Sequence, residues 1–139
     1  MEYNVCGNTV VLRLDKGEDI AEEILSVAKK ENITAASVTG IGATDDFVVG
    51  VFDVEKKAYE EFTFSGNHEI NALVGNLTFV DGKPYSHLHV TCTGKDGKVV
   101  GGHLIRAKIS LTCEIFINVL NSTVSRRRNE ALGINELSF

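Results

Sequence analysis

Three of the chain's four histidines fall close together, His87 and His89 in Ser86-His87-Leu88-His89-Val90-Thr91 and His103 in Gly101-Gly102-His103-Leu104. Residues two apart on a β-strand point to the same side, so His87 and His89 present two imidazoles on one face while Leu88 and Val90 fill the other. Neutral imidazoles suit zinc, iron, nickel or copper, and three protein ligands keep a position open for water or substrate. A divalent metal is therefore expected, with zinc as the ion. The competing reading is a histidine ladder that hydrogen-bonds at a subunit interface. Cys92 has the opposite parity and is read as a small buried hydrophobe, not a fourth ligand.

Whether His103 joins the pair depends on the hairpin between the two motifs, because register decides the facing of every side chain. A three-residue loop at Lys95-Asp96-Gly97, with Gly97 left-handed, sets position 103 opposite 89 and on its face. A two-residue Asp96-Gly97 turn sets it opposite Val90, on the wrong face, unless a bulge at Gly101-Gly102 restores it. The metal reading commits to the first hairpin.

Other polar residues can do chemistry if a substrate reaches them. Glu69 and Glu114 sit beside or within apolar strands as supporting carboxylates, general bases or ordinary surface groups. Arg13, on the polar side of the first strand, is a carboxylate or phosphate clamp or a surface residue. Gly40-Ile41-Gly42 follows a strand, but Ala43-Thr44-Asp45-Asp46 comes next instead of a glycine opening a helix, so it reads as a tight turn. Arg126-Arg127-Arg128 is the one dense basic run. Without interleaved aromatics or a reading helix, it is a solvated surface or a subunit contact.

The elements that must carry these residues are mostly strands. Val10, Leu12 and Leu14 alternate with Thr9, Val11 and Arg13, which predicts a half-buried strand over 9–14. Asp15 is placed as a helix cap with Glu18 closing a box, and Ile20, Ile24, Val27 and Ala28, widened by Leu25, predict an amphipathic helix over 18–31. Strands are expected at 35–39, 47–53, 59–64, 70–80, 86–93, 99–107 and 111–119. Gly40, Asp45-Asp46, Ser65-Gly66 and Asp81-Gly82 are read as the turns between them, with Pro84 in the turn before the histidine strand. Leu132, Ile134, Leu137 and Phe139 suggest a terminal strand or turn packed back on the body. The class is α+β, a mostly antiparallel sheet packed around one main amphipathic helix.

A length of 139 residues suits one domain, 1–139. Lys+Arg 14 against Asp+Glu 19 leaves a net charge of -5, which gives no general attraction to nucleic acid or anionic lipid. The three cysteines, Cys6, Cys92 and Cys113, lack CxxC spacing and are odd in number, so free thiols in a reducing compartment are expected. Met1-Glu2-Tyr3-Asn4 has neither the basic region nor the apolar core of an export signal, and no apolar run reaches membrane-spanning length. These features place the chain in the cytoplasm with no membrane partner.

Several motifs recur together in a family order: Leu12-Arg13-Leu14-Asp15-Lys16-Gly17-Glu18-Asp19, Val38-Thr39-Gly40-Ile41-Gly42-Ala43, Gly66-Asn67-His68-Glu69-Ile70, Gly75-Asn76, His87-Leu88-His89-Val90 and Gly97 to Leu104. The series resembles the PPC domain, conserved in plants and prokaryotes, over nearly the whole chain. The resemblance implies an antiparallel sheet around a packed helix, a homotrimer, and a metal at His87, His89 and His103 as in some members. Arg13, Glu69 and Glu114 also match recurring family positions. A more distant likeness joins the HxH and GGH pattern to acetolactate decarboxylase, whose zinc is held by three histidines. Plant members carry the domain behind AT-hooks and prokaryotic relatives are described as predicted DNA-binding proteins. This sequence has no Arg-Gly-Arg-Pro hook and is acidic, so direct nucleic-acid binding is not favoured. It also departs from the family after Gly-Gly-His-Leu, continuing Ile105-Arg106-Ala107 where a glycine is common.

The expected protein is a small soluble homotrimer with a three-histidine metal site and no assigned reaction. One alternative is a DNA-binding or transcription-associated protein. Another is a metal-dependent lyase-like enzyme acting on a small carboxylate, with Glu69 or Glu114 moving a proton and Arg13 holding the small anionic ligand.

Overall fold

Alternation and helical periodicity become eight strands and one helix in a computed structural model that describes residues 1–139. In chain order these are β1 (Glu2–Cys6), β2 (Thr9–Asp15), α1 (Ile20–Lys30), β3 (Ala36–Asp53), β4 (Ala58–Val80), β5 (Lys83–Gly94), β6 (Val99–Val119), β7 (Ser125–Asn129) and β8 (Ile134–Ser138). The class is α+β, as the patterning implies.

Strand β6 organises the sheet. It pairs with β3 along one flank, and with β5 and then β2 along the other, always antiparallel. Because β3 also pairs with β4, and β4 with β5, the four long strands β3, β4, β5 and β6 close a ring. Inside it lies one core cluster, with Phe47, Leu73, Leu77, Leu88, Ile109, Ile115 and Ile117 almost free of solvent. Val10, Leu12 and Leu14 join that core from β2, as their alternation requires.

Helix α1 covers the core with Ile20, Ile24, Val27 and Ala28, the stripe read from spacing, and packs against β5 and β6. Its cap differs from expectation. Asp19, not Asp15, caps it, accepting from the backbone N–H groups of Ala21 and Glu22 at 2.9 and 3.2 Å. Glu18 does reach back to the Asp15 N–H at 2.8 Å, but this contact closes the turn before the helix. The second Asp19 oxygen accepts from the Ala107 N–H at 3.0 Å and ties the helix start to β6. Only a carboxylate can serve both elements at once, which is why the tertiary position overrides the local box.

The strands are longer than the sequence suggests. Gly40, Asp45-Asp46 and Gly40-Ile41-Gly42 are not turns. The chain runs through them as one strand, with bulges between Gly40 and Gly42 and between Thr44 and Asp46. Ser65-Gly66 lies opposite the second bulge, where Gly66 takes a φ of 83° within continuous β4. Likewise 99–107 and 111–119 are one strand, and Pro84 lies within β5 opposite Phe79. Partners on both sides satisfy the backbone of β3, so an extra residue is absorbed as a bulge and the strand continues. Asp81-Gly82 is a turn as expected, with both residues at positive φ, 48° and 78°. Strand β1, unforeseen, adds an edge beside β2, and the terminal segment forms the β7–β8 hairpin, docked to β4 at Phe79 and Ser125.

Candidate metal centre

Leu88 and Val90 point into the core at 2 % exposure each, which turns His87 and His89 outward from β5. The following loop takes the three-residue form. Gly97 has a φ of 75°, its N–H bonds to the Gly94 carbonyl at 2.9 Å, and the Gly94 N–H bonds to the Lys98 carbonyl at 3.0 Å. His103 consequently pairs with His89 in register and shares its face.

The three rings converge. Their ligand atoms all lie within 4.8 Å of one another, and Nε2 of His87 is 3.3 Å from Nε2 of His89. His103 is held from behind by Tyr59, stacked at 4.5 Å between ring centroids and 19° between planes. Tyr59 fits there because its partner strand carries Gly50 opposite His103, and a Cβ on Gly50 would meet the tyrosine ring. Burial pushes the His103 pKa down to about 4, helped by the two neighbouring imidazoles. Burial also lowers that of His87, aided by the Arg126 charge and by His89. Nδ1 of His103 is buried and has no hydrogen-bond partner. Two imidazoles held neutral, a third beside them and an unpartnered ring nitrogen are a donor set that fits a borderline-soft divalent ion. Three histidines are thus positioned to bind a metal.

Cys92 lies on the opposite side of β5, fully buried, with its thiol pushed up to about 11 by desolvation. It is the packing residue its parity implied.

Arg13, Glu69 and Glu114 stand elsewhere on the sheet. Arg13 pairs with Glu114 across β2 and β6, and both line an open groove of about 490 Å³. Glu114 also lines a neighbouring groove of about 410 Å³ with Glu69. Glu69 pairs with Thr93, four residues along β5 from His89, a separation of roughly 13 Å at the rise of a strand. Within one chain these three residues neighbour one another and not the histidines.

The residues that do flank the histidines escaped the sequence reading. Tyr85 shares the outward face of β5 with His87 and His89, and opposite them on β4 stand Thr78, Asn76 and Val74. Arg126, from the terminal hairpin, donates from Nε to Thr78 at 2.9 Å, from Nη2 to Asn76 Oδ1 at 2.8 Å and from Nη1 to the Asn135 carbonyl at 2.7 Å. Its guanidinium lies over the Tyr85 ring, 5.2 Å from the centroid. Arg126 is therefore half-buried, unlike its exposed neighbours Arg127 and Arg128. Alternation separates Arg126 only from Arg127, since Arg128 has the same parity, so no local signal singles Arg126 out.

The Plants and Prokaryotes Conserved domain matches residues 1–121, nearly the whole of the histidine-bearing sheet. The chain belongs to this family. Among solved structures, this PPC domain is similar to a metal-containing protein from Archaeoglobus fulgidus, 36% identical over 99% of this chain and 97% of that one, TM-score 0.88. It is also similar to a candidate DNA-binding protein from Bacteroides thetaiotaomicron, 29% identical over 99% and 96%, TM-score 0.96. A plant- and prokaryote-conserved protein from Pyrococcus horikoshii is 31% identical over 97% and 94%, TM-score 0.85. The likeness to acetolactate decarboxylase holds at the level of fold: the Bacillus subtilis enzyme is 15% identical, TM-score 0.56, with 58% of its length covered. No curated protein sequence matches the chain. No helix of this PPC domain is long and apolar enough to cross a membrane.

Proposed function

We propose that this PPC protein binds a divalent metal, zinc, through His87, His89 and His103, and that it works in the cytoplasm as a homotrimer of single domains spanning 1–139. The observation that carries the metal reading is the convergence of the three imidazoles, all ligand atoms within 4.8 Å. The name of the Archaeoglobus fulgidus relative, a metal-containing protein, supports it. Bound there, the ion supplies a Lewis acid with an open coordination position. Tyr59 and the Lys95–Gly97 loop hold His103 in place, and the half-buried faces of His87 and His103 keep both imidazoles neutral and ready to donate a lone pair. Elemental analysis of protein purified without an affinity tag is expected to show about one zinc per chain, on the three-ligand reading of the site. His89→Ala is expected to lose it while keeping the wild-type circular dichroism. Equal, substoichiometric metal in both proteins overturns the assignment.

A lyase-like reaction on a small carboxylate extends this reading. Within one chain, Glu69, Glu114 and Arg13 stand apart from the histidines, so their service as proton carriers and anion clamp requires a site assembled between copies. Metal-dependent turnover lost in both His87→Ala and Glu114→Ala supports it, and loss in His87→Ala alone removes Glu114.

DNA binding is the second reading, motivated by relatives such as the Bacteroides thetaiotaomicron protein. The surface argues against it. Net charge is -5, Arg127 faces Glu136 at 3.7 Å and Arg128 faces Glu130 at 3.9 Å. A gel-shift titration at moderate salt is expected to show no retardation by micromolar protein, and salt-sensitive retardation would establish the DNA reading instead.

A further inference from the structure

Arg126 is the one arginine without an acidic partner. Arg13 faces Glu2 and Asp15 at 3.3 Å, Arg106 faces Asp46 at 2.8 Å, and Arg127 and Arg128 have the carboxylates named above. Arg126 instead bonds three neutral oxygens, those of Thr78, Asn76 and Asn135. A guanidinium carries five N–H donors, so one N–H on each terminal nitrogen has no protein acceptor.

The position of this cation matters. Asn76 is the cross-strand partner of His87, and Tyr85, beneath the guanidinium, is two residues from His87 on the same face. Arg126 therefore closes one end of the outward row Tyr85, His87, His89. No Asp or Glu joins the histidine group. With a divalent ion on the histidines, a half-buried guanidinium and a dication would share one site without a counter-charge. Such a pair repels strongly at low local dielectric unless an anion lies between them.

We infer that Arg126, carried in by the C-terminal hairpin beyond the family match, is the anion-binding residue of the three-histidine centre, and that the ligand it selects is a small organic carboxylate. This rests on the metal reading above. The two unused N–H groups match the two oxygens of a carboxylate. Tyr59, Tyr85 and Val74 give the surroundings aromatic and apolar surface, which suits an organic acid better than inorganic phosphate. On this inference the anion-clamp role, one of the two readings of Arg13, belongs to a residue on a different element.

Cobalt(II) loaded in place of zinc tests both readings separately, because its visible absorption reports the metal and its response to added anion reports the second site. Wild type, Arg126→Gln and Arg13→Gln are each titrated with cobalt, then with malonate, neutral malonamide and inorganic phosphate. The expected result is equal cobalt uptake in all three, with malonate shifting the bands in wild type and Arg13→Gln but binding at least tenfold more weakly to Arg126→Gln. Malonamide should leave the bands unchanged, and phosphate should bind more weakly than malonate. If Arg126→Gln does not fold, Arg126→Lys carries the comparison, with a loss of threefold or more expected at unchanged cobalt uptake. Malonate affinity equal to wild type in the folded Arg126 variant overturns the inference while leaving the metal reading intact. Tighter phosphate than malonate overturns the carboxylate class. Absence of a cobalt band in wild type defeats the metal reading itself and this inference with it.

Discussion

His103 shows how one side chain serves packing and chemistry together. Stacked on Tyr59 and half-buried, it refuses a proton until about pH 4, whereas an unfolded histidine accepts one near its ordinary value of 6.5. Between those two pH values the unfolded chain binds more protons than the folded one, so stability falls as pH drops through that window and is fully present above it. His87, lowered for the same leading reason, adds in the same direction. The carboxylates act lower. Asp46, held down by its hydrogen bond from Arg106, contributes stability that is lost only as pH falls below the ordinary carboxylate range. Urea unfolding of metal-free protein should therefore weaken steadily from pH 6.5 to 4, and His103→Gln should flatten that part of the profile. An unchanged slope in the variant would show that His103 is not the group responsible.

Elements position the histidines through two devices, a loop of fixed length and a shared carboxylate. Removing Val100 keeps the three-residue loop but shortens the β6 arm between it and His103 by one residue, and the pairing that places His103 opposite His89 then moves it opposite Val90. The expected outcome is loss of metal uptake to the level of His89→Ala, with strand content by circular dichroism retained. Metal uptake preserved in the deletion would mean that the bulge at Gly101-Gly102 can restore the register. Asp19 links two elements, capping α1 and accepting from Ala107 on β6. Asp19→Ala removes a cap worth about 1 kcal/mol. It also strands a buried N–H at a cost of about 1–3 kcal/mol. A thermal or denaturant melt should show a loss of about 2–4 kcal/mol from these two sources together. Gly75 guards the strand spacing beneath His87: any Cβ there would collide with the His87 carbonyl and lie 2.9 Å from the Leu88 Cα. Gly75→Ala must separate β4 from β5 or bend one of them, a change of about 1–3 kcal/mol or more by the usual cost of overpacking.

At the scale of the molecule, the ring formed by β3, β4, β5 and β6 buries a continuous core but leaves apolar residues on its outer face. Phe116 and Val74 both stand opposite Thr39 on β3, exposed by 47 % and 49 %, and Ile41 next along β3 is exposed by 56 %. Leu111, lining the groove shared with Glu69, is exposed by 74 %. Exposed apolar side chains grouped across three adjacent strands mark an association surface, and closed cyclic symmetry covers it in every copy. The homotrimer proposed above predicts about three chain masses by light scattering coupled to size exclusion at micromolar concentration. Phe116→Glu, which places a charge in the middle of the patch, is expected to give a folded monomer near 15.1 kDa. A wild-type mass of 15.1 kDa that persists on concentration defeats the trimer.

What the sequence determined by itself is what depends on short range. The period of two faces His87 with His89 and buries Leu88, Val90 and Cys92, and the period of 3.6 assigns Ile20, Ile24, Val27 and Ala28 to one stripe, whereas the choice between the two hairpin registers was left to the folded loop, where Gly97 takes a φ of 75°. Both periods follow from local sterics and from which side of a strand or helix a residue occupies. Tertiary structure alone decided the rest. Gly40 to Asp46 and Ser65-Gly66 carry turn-forming residues, yet they run as bulged strands because neighbours on the sheet satisfy their backbone groups. Asp19 displaced Asp15 as the cap because β6 lies within its reach. Tyr59 stacks on His103 and Arg126 bonds Asn76 opposite His87, while Arg13, Glu69 and Glu114 stand apart, because closing the ring and docking the terminal hairpin set distances that no spacing along the chain encodes.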